Sequence, residues 1–133
     1  MNANIASVEQ LRLMLVDDDS IVNEAIAEYL GRKGWVVSAF LNGEDALKAL
    51  RQDPSAYDVL VTDISMPELN GMDFLRMAKE EAPYVPIIMI TGHPSVDSAV
   101  FALKRGAADF FTKPFKVQEL ELAIRKAAGE ARV

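Results

Sequence analysis

Short apolar runs alternate along this chain with longer stretches in which apolar residues recur at helical spacing. The runs are Leu11–Val16, Trp35–Phe40, Asp58–Thr62, Ile87–Thr91 and Asp109–Thr112. Their length, apolar content and flanking turn residues predict strands buried on both faces. Ile21, Val22, Ala25, Ile26, Tyr29 and Leu30 share one side of a helix. Val96, Ala99, Val100 and Leu103 form a second stripe, and Leu120, Ala123, Ile124 and Ala127 a third. Two more helices are expected from about Asn42 to Arg51 and from about Gly71 to Ala82. Asn42 and Asn70 suit N-cap positions, each followed three residues later by an acid, Asp45 or Asp73. Gly34 and Gly106 fall just past helix ends, where a left-handed residue is useful. Pro83 and Pro86 keep the third helix from running into the fourth strand.

Five strand–helix units in succession predict an α/β fold, a five-stranded parallel sheet with helices on both faces. The common strand order for such a doubly wound, flavodoxin-like sheet is 2-1-3-4-5. A chain of 133 residues suffices for one such domain. It is expected to fill residues 11–128, with 1–10 as an N-terminal extension and 129–133 as a C-terminal tail, a point after which an output domain could follow. The absence of cysteine excludes a disulfide scaffold, a thiol nucleophile and a cysteine zinc site. Fourteen basic against 20 acidic residues leave a net charge of -6, which repels phosphate backbones, so direct nucleic-acid binding is not expected. Met1–Gln10 lacks the basic start and apolar run of a signal peptide, and the longest apolar stretch, Ile87–Ile90, is too short to cross a bilayer. The expectation is a soluble, cytoplasmic protein that does not contact membranes.

Ligands of open α/β sheets sit at the carboxyl ends of the strands, near the point where strand order reverses. There the first strand delivers Asp17, Asp18 and Asp19, the third Asp63, the fourth Thr91 before Gly92, and the fifth Lys113 before Pro114. Singly, each has an ordinary explanation as a helix cap, a strand-end hydroxyl or a solvated lysine. Their convergence on one edge is what points to a site. Carboxylates about 4 Å apart repel by roughly 4 kcal/mol at an effective dielectric near 20, so a cluster stays ionised only with a cation among its members. Oxygen ligands favour Mg²⁺ or Mn²⁺ over zinc. A carboxylate beside such an ion and a lysine can attack phosphorus and form an acyl phosphate.

Leu-Val-Asp17-Asp18-Asp19, Val-Thr-Asp63-Ile-Ser-Met-Pro67 with Gly71, Ile-Thr91-Gly92 and Lys113-Pro114-Phe115 together resemble the receiver domain of two-component response regulators, from about Arg12 to Lys126. The resemblance implies that Asp63 is the phosphoacceptor and that Asp18, Asp63 and the Ser65 backbone carbonyl hold the metal, with Asp17 acting through water. It implies that Thr91 is the switch hydroxyl, that Lys113 pairs with the phosphate, and that Phe110 is the aromatic that turns inward on activation. Asp19 reads as a helix cap. Ser65 and His93 would line the route for attacking water, although His93 reads more simply as an exposed loop residue. The implied partners are a sensor histidine kinase or phosphotransfer protein, an output domain or partner on the face of the fourth helix, fifth strand and fifth helix, and a second copy on phosphorylation. Phe101 on the fourth helix is a candidate partner contact. The implied role is a phosphorylation-activated switch, not a turnover enzyme, in a system of the kind that regulates transcription.

Asn70, Lys116 and Phe110 depart mildly from the family pattern, and Lys116 is a poor cap for the last helix. The rival reading is a haloacid-dehalogenase-type phosphohydrolase with Asp17 as nucleophile and Asp19 as general acid. It leaves Asp63 without a role, and the later acids Glu119, Glu121 and Glu130 lie within a predicted helix. A flavin-binding domain of similar topology would need a phosphate-cradling loop where this chain has acids.

Overall fold

Five parallel strands hydrogen-bond in the order β2-β1-β3-β4-β5, the order the alternating pattern predicts. The computed structural model describes residues 10–64, 71–92 and 96–132, without the side chains of 71, 96–98 and 130–132. The elements are β1 (Arg12–Val16), α1 (Ser20–Gly31), β2 (Val36–Phe40), α2 (Gly43–Gln52), a 3₁₀ turn (Pro54–Ala56), β3 (Val59–Asp63), α3 (Gly71–Glu81), β4 (Ile87–Thr91), α4 (Val96–Lys104), β5 (Asp109–Thr112) and α5 (Val117–Arg132).

Alternate residues of the central strands feed two cores. Met14, Val16, Leu60, Ile87 and Met89 pack with Leu47 and Leu50 of α2, Phe74 and Ala78 of α3 and Ala102 of α4. Leu13, Leu15, Val61, Ile88 and Ile90 point the other way, onto Ile26 and Leu30 of α1 and Leu120 and Ile124 of α5. Expectation and structure differ at the edges. Within β3 and β4 every residue is buried, but β2 and β5 border the sheet and are only partly covered.

The predicted stripe on α4 is also corrected. Ala102 is buried there, whereas Val100, Phe101 and Leu103 remain 44, 44 and 49% exposed. Residues 99 to 103 are all apolar, so periodicity alone could not choose the inward face. On α1, Ile21 belongs to the predicted stripe yet is 78% exposed.

Local capping follows the sequence. Asn42 Oδ1 accepts a hydrogen bond from the Asp45 backbone amide at 2.8 Å, and Asn42 Nδ2 donates to the Asp45 carboxylate at 3.0 Å. Gly34 and Gly106 adopt φ of 87° and 99°, the left-handed region expected after a helix. At Gly106 an added Cβ would lie 2.9 Å from Lys79 Cε.

α1 and α5 are joined at the edge opposite the acid-bearing strand ends. Tyr29 donates its hydroxyl to Glu121 Oε1 at 2.8 Å, and Arg125 donates to Glu121 Oε2 at 3.1 and 3.0 Å. Arg125 also lies 4.8 Å above the ring of Trp35, which is 3% exposed. Burial works to raise the Glu121 carboxyl, but Tyr29, Arg125 and Lys33 together hold it below its ordinary value.

Candidate functional site

The acids reach one place because β1 and β3 are neighbours and end level with each other. Val16 pairs with Thr62, so Asp17 and Asp63 follow at adjacent strand ends. Asp17 is fully buried and Asp63 4% exposed, while Asp18 faces solvent. One carboxylate oxygen from each of Asp17, Asp18 and Asp63 lies within 4.8 Å of the other two. Asp19 stands apart from this cluster as the cap of α1, its Oδ1 accepting from the amides of Ile21 at 3.1 Å and Val22 at 3.3 Å.

The turn after β1 is held tightly. The Asp17 amide donates to the Phe40 carbonyl at 3.1 Å, and Asp17 Oδ1 accepts from the Asp19 amide at 2.9 Å. Sequence reasoning missed Asn23, which is 3% exposed on α1. Its Nδ2 donates to the Asp17 carbonyl at 3.1 Å and to the Phe40 carbonyl at 2.9 Å. A signal was available, since Asn23 falls at helical spacing with the buried Ile26 and Leu30.

Lys113 arrives from the end of β5. Its amide donates to the Thr91 carbonyl at 2.7 Å, and the Lys113–Pro114 peptide is cis. Its ammonium lies 3.0 Å from Asp63 Oδ2 and 2.8 Å from Asp17 Oδ2. Burial works to lower the Lys113 ammonium, and the two carboxylates more than offset that, so its pKa stands above the ordinary lysine value.

One ammonium does not neutralise three carboxylates. Asp17 Oδ2 is buried and pairs with Lys113 Nζ at 2.8 Å, an ammonium it shares with Asp63. Three carboxylates around one ammonium form an oxygen-donor set with net negative charge, which fits a hard divalent cation.

Thr91 ends β4 and is buried, with exposed Gly92 following it. Phe110 is half-buried against the core that includes Met89 and Ala102. An open apolar groove of about 680 Å³ starts at Gly92 and Lys113 and runs past Ile21, Val22, Phe115 and Val117. Phe101 is 44% exposed on α4, with the Arg105 guanidinium 4.3 Å above its ring. Ser65, Asn70 and His93 lie outside the described residues. The structure thus brings together Asp17, Asp18, Asp63 and Lys113, and sets Thr91 on the strand beside Asp63.

This arrangement disfavours the hydrolase reading. Asp19 is spent on capping α1 and Asp63 sits in the cluster with Asp17. Among the described residues no helix is long and apolar enough to cross a membrane.

Residues 13–125 match the family model of the response regulator receiver domain. The chain is 38% identical over 118 residues to the DNA-binding transcriptional regulator NtrC of Proteus hauseri, covering 89% of this chain and 24% of that protein. It is 41% identical over 115 residues to the response regulator protein TodT of Pseudomonas putida, covering 86% and 50%. The chain therefore spans about a quarter to half the length of these relatives. Among solved structures, a response regulator receiver domain protein from Clostridium thermocellum superposes with a TM-score of 0.87 at 32% identity, covering 92% of this chain and 97% of that one. The beryllofluoride-activated NtrC4 receiver domain dimer superposes with a TM-score of 0.84 at 34% identity, covering 90% and 98%. None of these supports the phosphohydrolase alternative.

Proposed function

The chain belongs to the response regulator receiver domain family, and on that premise we propose that Asp63 accepts a phosphoryl group from a sensor histidine kinase or phosphotransfer protein. A receiver domain is a phosphoacceptor signalling switch and not a turnover enzyme. The observation that supports Asp63 is its place in the acid cluster 3.0 Å from Lys113 Nζ, while its rival Asp17, 2.8 Å from the same Nζ, is fully buried with its other oxygen already bonded to the Asp19 amide. The receiver unit occupies residues 11–128 and works in the cytoplasm.

Asp18, Asp63 and the Ser65 carbonyl would hold Mg²⁺ or Mn²⁺ directly, with Asp17 acting through water. The ion, when bound, neutralises charge on the phosphoryl oxygens during transfer. An Asp63 carboxylate oxygen attacks phosphorus, the donor's phosphorus–nitrogen bond breaks, and an acyl phosphate forms on Asp63. The Lys113 ammonium turns from the carboxylate to a phosphoryl oxygen, and the Thr91 hydroxyl donates to another. Asp17 is buried and held by the Asp19 amide, so it orients the site and does not attack. The groove beside Lys113 gives the donor protein a route to the acceptor.

Recruiting Thr91 and Lys113 to the phosphoryl group draws in the loops after β4 and β5 and lets Phe110 turn further inward. A shift from 1:99 to 99:1 requires about 5.5 kcal/mol, and charge-assisted hydrogen bonds at about 1.5–3 kcal/mol each supply it. The output is the face of α4, β5 and α5, where Val100, Phe101, Leu103 and Leu122 are exposed. That face would meet an output domain, a partner or a second copy, and likeness to the NtrC4 receiver domain dimer supports the last. Likeness to NtrC and TodT supports a role in transcription regulation, with DNA contacted outside this acidic domain.

The test is incubation with a small phosphodonor and Mg²⁺ followed by intact mass measurement. One phosphoryl group per chain is expected, lost in Asp63→Asn and kept in Asp19→Asn. Sustained multiple turnover that depends on Asp17 would overturn the proposal in favour of the hydrolase.

A further inference from the structure

We infer that Asn23 is a positioning residue that fixes the Asp17–Asp18 turn for cation binding, an inference that rests on the acid cluster being the metal site. Two carbonyl oxygens, those of Asp17 and Phe40, converge on one buried point beneath the turn, and Asn23 Nδ2 lies 3.1 and 2.9 Å from them. Two acceptors at one point call for a single atom with two N–H bonds, which a short side-chain amide supplies and a hydroxyl or carboxylate does not. Phe40 O already accepts from the Asp17 amide, so Nδ2 completes a closed clamp between the ends of β1 and β2.

The consequence lies one peptide away. The Asp17 carbonyl belongs to the peptide that leads into Asp18. Asp17 Oδ1 is fixed by the Asp19 amide, and the Asn23 amide donates its own backbone N–H to the Asp19 carbonyl at 2.9 Å. Asn23 thus ties helix α1 to Asp17 through its side chain and to Asp19 through its backbone. With the clamp in place, the main chain on either side of Asp18 is set before any cation arrives. Without it, the Asp17–Asp18 peptide can turn, and the carboxylates must be reordered each time the ion binds. Residues that orient metal ligands in this way change affinity by about 10–100-fold when removed.

The experiment compares the wild type with Asn23→Ala, Asn23→Ser and Tyr29→Phe. The last removes a hydrogen bond from the same helix without touching the turn. Mg²⁺ affinity is read by calorimetry, and exchange of the Asp17 amide by NMR in metal-free protein. Asn23→Ala is expected to bind Mg²⁺ roughly tenfold more weakly and to exchange the Asp17 amide faster, while Tyr29→Phe matches the wild type in both. Asn23→Ser ends one bond short of both carbonyls, should weaken Mg²⁺ binding as the alanine variant does, and carries the test if that variant does not fold. Wild-type Mg²⁺ affinity in both folded Asn23 variants would overturn the role of Asn23 and leave the metal site standing. A wild type that binds no Mg²⁺ would overturn the metal-site reading and this inference with it, whatever the amide exchange shows.

Discussion

Replacing Lys113 with Met keeps most of the side-chain bulk and removes the charge facing Asp17 and Asp63. In the wild type Nζ lies 2.8 and 3.0 Å from oxygens of these two buried acids. Without the ammonium, three carboxylates with oxygens within 4.8 Å of one another face each other uncompensated. At that separation and an effective dielectric near 20, each pair repels by roughly 3.5 kcal/mol. Protonation of one acid relieves part of this, so the net loss should match that of orphaning one side of a buried ion pair, about 3–5 kcal/mol. An unfolding entropy of about 2.1 cal/mol/K per residue converts a 3 kcal/mol loss into a fall in Tm of roughly 10 °C for a chain of this length.

Trp35, the single tryptophan, is buried away from the acid cluster and reports unfolding by fluorescence. Mg²⁺ should restore more stability to Lys113→Met than it adds to the wild type, because the ion then meets no competing ammonium. At 100 times its Kd the ion adds about 2.7 kcal/mol. The pH dependence has a definite sign. The Lys113 pKa is raised in the folded state, so its contribution is fully present below the ordinary value of 10.5 and is lost as pH rises through the folded value. The gap between wild type and variant should therefore persist from neutral pH to 10.5 and narrow above it. An unchanged Tm in metal-free Lys113→Met, or a weaker Mg²⁺ response than the wild type, would refute this reasoning.

Two further outcomes follow from features away from the acids. Glu121 is held below its ordinary value of 4.5, so its contribution is present above that pH and lost as pH falls through the folded value. Tyr29→Phe should lower stability by about 1 kcal/mol near neutrality in urea unfolding, with the deficit shrinking in acid. Gly106→Ala and Gly34→Ala should each cost about 1–2 kcal/mol in the same assay. Both glycines have left-handed φ, and the Gly106 methyl, 2.9 Å from Lys79 Cε, need only push aside the end of a flexible side chain, while nothing lies within 4 Å at Gly34.

The alternation of apolar runs and amphipathic stretches was sufficient to predict the strand order, because right-handed crossovers leave few arrangements for five such units. The site was legible because its residues are charged or hydroxylic at strand ends, where chain order alone puts Asp17, Asp63, Thr91 and Lys113 on one edge. α4 was misread because its apolar residues surround the helix, and only the tertiary contact of Ala102 selects a face. Edge exposure of β2 and β5 depends on neighbours they lack, which no local pattern encodes. Asn23 escaped notice because a polar residue on a helix is ordinarily read as solvated. Its role appears only when two carbonyls from different strands meet its amide.

The account stands or falls on which carboxylate carries the phosphoryl group. Borohydride reduces an acyl phosphate to the alcohol, so trapping the phosphorylated protein and sequencing its peptides by mass spectrometry marks the acceptor as homoserine. The account predicts homoserine at position 63 and intact Asp17 and Asp18. Homoserine at position 17, with Asp63 unmodified, would contradict it.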